Sequence, residues 1–130
     1  RIRRRPGNRM SSCVHQDYKY FTGFKVDEKI VRELLTNMGL KTDKKEFHIT
    51  TSFGRNRGKF LRTYKINSHE FTTKNMYISG DGDLACIHVV PEGEPEWLDS
   101  SKHYHITLWA RGKWKPKDSN TLLESILGKN

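Results

Sequence analysis

The sequence predicts an α+β domain, on three observations. β-prone runs and helical periodicities alternate in the order β-α-β-(β)-β-β-β-α along 130 residues. The turn Gly80-Asp81-Gly82-Asp83 lies between two apolar runs, a strong hairpin signal. The apolar residues, 34% of the chain, fall in patterned clusters that suffice for one core.

Residues 1–14 read as a basic disordered tail or linker, with Pro6, Gly7 and a Ser11-Ser12 pair, and residues 15–130 as one domain. The run from Asp17 to Val26 is rich in aromatic and β-prone residues and predicts a strand. Asp27 is placed to cap a helix whose apolar positions, Ile30, Val31, Leu34, Leu35 and Met38, recur at helical spacing until Gly39. Glu46 to Phe53 predicts a second strand. Gly54 to Lys59 reads as a basic loop, and residues 60–66 are compatible with strand. Strands are expected over 71–79 and 84–90, a loop from Pro91 through Pro95, and a strand over 103–110. Asp118 or Ser119 caps a closing helix through Leu122, Leu123, Ile126 and Leu127, stopped by Gly128.

The formal charge is +9, and Arg1, Arg3, Arg4, Arg5 and Arg9 crowd the first nine residues without an acid among them. Such a chain suits a polyanionic partner, because neutralising phosphates releases counterions. Cys13, in the expected tail, and Cys86, in an apolar run, make no disulfide framework. No run approaches the length of a membrane span, and the first residues have no apolar core for a signal peptide. The expectation is an intracellular protein, cytoplasmic or nuclear, without a membrane. A chain opening on Arg1 rather than Met is expected to be part of a longer polypeptide.

One short internal echo carries the functional reading. Phe47-His48-Ile49-Thr50 and Tyr104-His105-Ile106-Thr107 repeat the pattern aromatic, His, Ile, Thr. Strand alternation puts His48 with Thr50, and His105 with Thr107, each pair on a single face. Two imidazoles and two hydroxyls meeting on one cleft suit phosphodiester cleavage. One neutral His takes a proton from water and the other, protonated, gives one to the leaving oxygen. The threonines donate to the non-bridging oxygens. The scheme needs no metal and no cofactor. His103 with His105 spells a zinc pairing, but no third ligand stands at telling spacing.

These motifs, with Tyr20-Phe21-x-x-Phe24 and with His105-Ile106-Thr107-Leu108-Trp109 continued by Asn120-Thr121-Leu122, resemble the 2H phosphoesterase superfamily. The likeness runs from about Tyr20 to Leu127. It is nearest to the 2′,3′-cyclic phosphodiesterase domain of plant-type tRNA ligases, and more distant from the myelin cyclic nucleotide phosphodiesterase. The resemblance implies a bilobal fold, two antiparallel-sheet lobes with flanking helices around a central cleft. It implies hydrolysis of RNA 2′,3′-cyclic phosphate ends to 2′-phosphate, in tRNA splicing or RNA repair. His48 and His105 are then catalytic, and Thr50 and Thr107 bind the phosphate. In the expected assignment His105 activates water and His48 protonates the 3′ oxygen, although near-symmetry allows the reverse. The implied partners are RNA 3′ ends, with ligase and polynucleotide kinase domains or proteins as companions, and the chain is expected to act as a monomer.

Phe53, Arg55, Arg57 and Lys59 follow the first motif, an aromatic beside bases that suits stacking on a terminal nucleobase and holding the backbone. Trp109 is placed by alternation on the face of Thr107, which suits a cleft wall, and packing into the core fits it equally. Arg111, Lys113 and Lys115 interleave with Trp114 in a second basic-aromatic stretch. Two other functions fit the same residues: cleavage of 2′,5′-oligoadenylate or trimming of other RNA ends, and a non-catalytic RNA-binding module.

Overall fold

The computed structural model describes residues 2–3 and 9–128. Its strands are β1 (Ile2–Arg3), β2 (Arg9–Asp17), β3 (Phe21–Val26), β4 (Phe47–Phe53), β5 (Ser68–Ile78), β6 (Leu84–Pro91) and β7 (His105–Ala110). The helices are α1 (Glu28–Asn37), α2 (Asn56–Thr63) and α3 (Asp118–Leu127). All strand pairs are antiparallel, in the order β1-β5-β2-β3-β4-β7-β6, and β6 returns to pair with β5. Six strands therefore close into one barrel, and β1 pairs with β5 at Met76 and Tyr77, beyond the stretch that β2 takes.

This corrects the expected bilobal, two-sheet α+β architecture: there is one closed sheet with three short helices. The physical reason lies in β2. Residues 9–14, expected to be disordered, form the stave that joins β5 to β3. Met10 and Cys13 both point into the core, and a bulge between them breaks the alternation that would mark a strand. Further bulges in the β3–β4, β5–β6 and β6–β7 pairs strengthen the local twist with which a sheet curls and closes. The expected tail's other residues, 1 and 4–8, lie outside the described residues.

The interior is aromatic, with Phe24, Phe47, Phe71 and Trp97 joined by Ile49, Ile87, Ile106 and Leu108. Phe24 meets Phe71 edge-on at 5.0 Å and tilts against Trp97 at 5.2 Å. His15 turns inward beside Phe24 (4.8 Å) and bonds Thr51 Oγ1 at 2.9 Å, while His69 Nε2 donates to the Glu92 carbonyl at 2.7 Å. Helix α1, capped by Asp27 as its sequence predicts, packs Val31, Leu34 and Leu35 on this core. α3 lays Leu123 against Tyr77 and Cys86 on the barrel's outside.

Two further expectations change. The single strand over 17–26 is a hairpin, because Tyr18 and Phe21 stack at 4.6 Å and the Tyr18 amide donates to the Phe21 carbonyl at 2.8 Å. The basic loop and strand over 54–66 are largely α2. Phe60 and Tyr64, one turn apart, pack their rings at 5.0 Å and dock on the core.

The β4–β7 joint positions the histidine motifs. Its register places Ile49 opposite Ile106. Side chains lace it at both ends: Thr42 Oγ1 donates to the Leu108 carbonyl at 2.7 Å, and Lys102 Nζ to the Thr51 carbonyl at 2.7 Å.

Candidate active site

Ile49 and Ile106 point into the barrel and are fully buried, so the residues flanking them in sequence point outward. Their register sets His48 across from Thr107 and Thr50 across from His105. The two histidines then lie on a diagonal, with Cβ atoms about 7 Å apart. The structure thus brings His48, Thr50, His105 and Thr107 onto one outer face of two adjacent strands.

His48 is walled by aromatics. Its ring meets Tyr18 edge-on at 4.6 Å and Phe21 at 5.4 Å, and its side chain is 18% exposed. Burial lowers its pKa, the Lys44 charge lowers it further, and Glu46, with Oε2 3.8 Å from Nε2, pulls the other way. Two buried polar atoms at this contact have no hydrogen-bond partner, His48 Nδ1 and the Tyr18 hydroxyl. Unpaired buried polar atoms are costly.

His105 is held differently. Its Nδ1 lies 2.9 Å from the His103 carbonyl. A carbonyl only accepts, so Nδ1 carries the proton and the neutral ring leaves Nε2 bare. Burial lowers its pKa, against the raising effect of that bond. Across β6, His88 pairs with His105 and faces His103 at 6.1 Å. Burial, then the neighbouring His103 and His105, push His88 down to about 4.

The threonines are not equivalent. Thr50 is partly exposed. Thr107 is 8% exposed and donates to the Pro116 carbonyl at 3.3 Å, which leaves Ser119 to donate to Thr107 at 3.0 Å. The hydroxyl expected to grip phosphate is thereby engaged in anchoring the start of α3.

Of the other expected residues, Phe53 is 61% exposed, and Arg55 and Lys59 are exposed beside it. Arg57 is bound to Asp17 at 2.9 Å. Trp109 departs from the expected alternation and takes the core alternative. A bulge between Thr107 and Trp109 resets the alternation, so Leu108 and Trp109 both join the core. The Trp109 indole donates to the Gly82 carbonyl at 2.9 Å, and one edge lines a cleft of about 290 Å³ with Thr107, Lys44, Arg111 and Pro116. Sequence reasoning missed Tyr18 and His88, and gave Phe21 only as part of the resemblance. The contacts that recruit Tyr18 and Phe21 are made by a turn, and only the β6–β7 register reveals His88. Among the described residues no cluster of three or more His, Cys, Asp or Glu could hold a metal ion. No helix among them is long and apolar enough to cross a membrane.

Comparison with protein-family models, with curated proteins and with solved structures finds no match to this chain. The 2H resemblance therefore rests on the motif residues alone.

Proposed function

We propose that the outer face of β4 and β7 cleaves phosphodiesters, taking RNA 2′,3′-cyclic phosphate ends to 2′-phosphates without a metal. The observation that carries the reading is the Ile49–Ile106 register, which sets both His-x-Thr pairs on one face with the imidazoles on a diagonal. His105, with Nε2 bare, is suited to take the proton from water. Water oxygen bonds to phosphorus, the P–O3′ bond breaks, and His48 delivers its proton to O3′. The partly exposed Thr50 hydroxyl is available to a non-bridging oxygen. RNA as substrate draws on the +9 charge and on the resemblance of the two motifs.

The test is incubation with a nucleoside 2′,3′-cyclic phosphate, with and without chelator, and identification of the phosphate product. A 2′-phosphate formed in chelator is expected, with losses of about 10²-fold or more in His48→Ala and His105→Ala. Near-full activity in either variant sinks the two-histidine mechanism. A parallel reaction on 2′,5′-linked oligoadenylate separates the two enzymatic substrates.

Two observations favour a second reading, an RNA-binding barrel without turnover. Thr107 is engaged with Pro116 and Ser119, and burial disfavours the protonated form of both imidazoles. RNA affinity with no product from either substrate would establish it.

A further inference from the structure

The cleft beside Thr107 has a use that the histidine face does not exhaust. We propose that it holds a backbone phosphate of a single-stranded polynucleotide, adjacent to the phosphate that lies on the histidines.

The cleft is a built feature. One wall is the strap over residues 42–44, which leads from α1 into β4. The Arg32 guanidinium donates to the carbonyls of Thr42 (3.1 Å) and Lys44 (2.7 Å), and the Lys44 amide donates to Thr42 Oγ1 (3.1 Å). Thr42 is in turn tied to β7 through the Leu108 carbonyl. The strap is therefore fixed from both sides before any ligand arrives. The facing wall is Trp109, over whose ring the Arg111 guanidinium sits at 5.0 Å. Pro116 closes the third side, on the carbonyl that receives the Thr107 proton.

Its charge is right for an anion. Lys44 and Arg111 line it against one acid, Asp43. Burial already disfavours the Lys44 ammonium, and a bound anion would relieve that cost. Lys113, Lys115 and Lys117, all exposed, follow Arg111 in the segment that contains Pro116. Thr107 borders both this cleft and the histidine face, and the Lys44 charge is felt at His48. A chain with one phosphate between the histidines thus has a neighbouring phosphate within reach of Lys44 and Arg111. That the occupant is a polynucleotide, rather than a free anion, rests on the reading of the β4–β7 face given above.

The experiment measures binding of an eight-nucleotide single-stranded RNA with a 3′-hydroxyl end, by fluorescence anisotropy across a salt series. Lys44→Gln/Arg111→Gln is compared with Lys29→Gln/Lys65→Gln, an equal loss of charge at exposed positions outside the cleft. The cleft pair is expected to weaken binding about tenfold or more. Its log–log salt slope should fall by about 0.7, the share of one phosphate contact on a single strand. Equal weakening by both pairs shows only a diffuse basic field and overturns the proposal, as does no weakening, or no RNA binding by the unaltered protein. Arg111→Gln alone, at an exposed position, repeats the test with a smaller slope change if the double variant does not fold. The readout needs no turnover. RNA bound through the cleft by a protein that hydrolyses no cyclic phosphate overturns the catalytic reading alone. Turnover with RNA binding unchanged in the cleft variant overturns this one alone.

Discussion

Two imidazoles on one face, each lowered by burial, make a definite pH signature. A general base must be neutral, so a depressed His105 pKa places the rising limb of activity below pH 6.5. A general acid must be protonated, so a depressed His48 pKa brings the falling limb below pH 6.5 as well. Activity on a cyclic phosphate is expected to peak on the acid side of neutrality. Lys44→Gln removes a positive charge that lowers His48, so His48 stays protonated to higher pH and the falling limb moves up. A rising limb that moves instead, in the same pH–rate profile, reverses the roles of the two histidines. At this scale the sequence was informative where alternation held: the outward pairing of His48 with Thr50 and of His105 with Thr107 follows from period two. It misled at Trp109, because one bulged residue moves every later side chain to the other face.

Among the elements, β3 meets β4 with Gly23 facing Thr50, next to a bulge. A Cβ at Gly23 would lie 2.7 Å from the Ile49 carbonyl oxygen, a backbone atom of the strand that carries His48. Gly23→Ala is expected to cost at least about 2 kcal/mol and to disturb the site together with the fold. Urea unfolding checks the first effect, and a midpoint unchanged from the parent would refute the close approach. Elements with strong local signals were legible, such as α1 with its Asp27 cap and the hairpin around Asp81-Gly82. β2 and α2 were not. β2 owes its place to partners on both sides rather than to its own pattern. α2 has no side-chain cap and sits among basic residues, and only docking of Phe60 and Tyr64 reveals it.

For the molecule as a whole, the closure of β2 onto β5 could not be read locally, since the two strands lie more than fifty residues apart in sequence. The folded protein also carries four histidines, His15, His48, His88 and His105, whose pKa values burial lowers. Between about pH 6.5 and 4 the unfolded chain takes up protons that the folded one refuses, so stability falls as pH falls through that window. His88, at about 4, contributes most clearly, on the order of 1–2 kcal/mol after allowing for solvent screening at a partly exposed ring. The melting temperature is expected to drop steadily from pH 7 to pH 4.5, and His88→Asn to flatten that drop. A melting temperature flat over this range would contradict the burial of these rings.

A cylinder without free rims gives way first at its weakest joint. Here that joint is the one through Ile49 and Ile106, held shut largely by the hydroxyl of Thr42 and the ammonium of Lys102. Loosening either tether, as in Thr42→Val or Lys102→Met, should quicken deuterium uptake at the amides of β4 and β7 before those of β5 and β6. Each such excursion would draw the two rings apart, so the lifetime of the shut joint sets an upper bound on how long the reacting geometry persists.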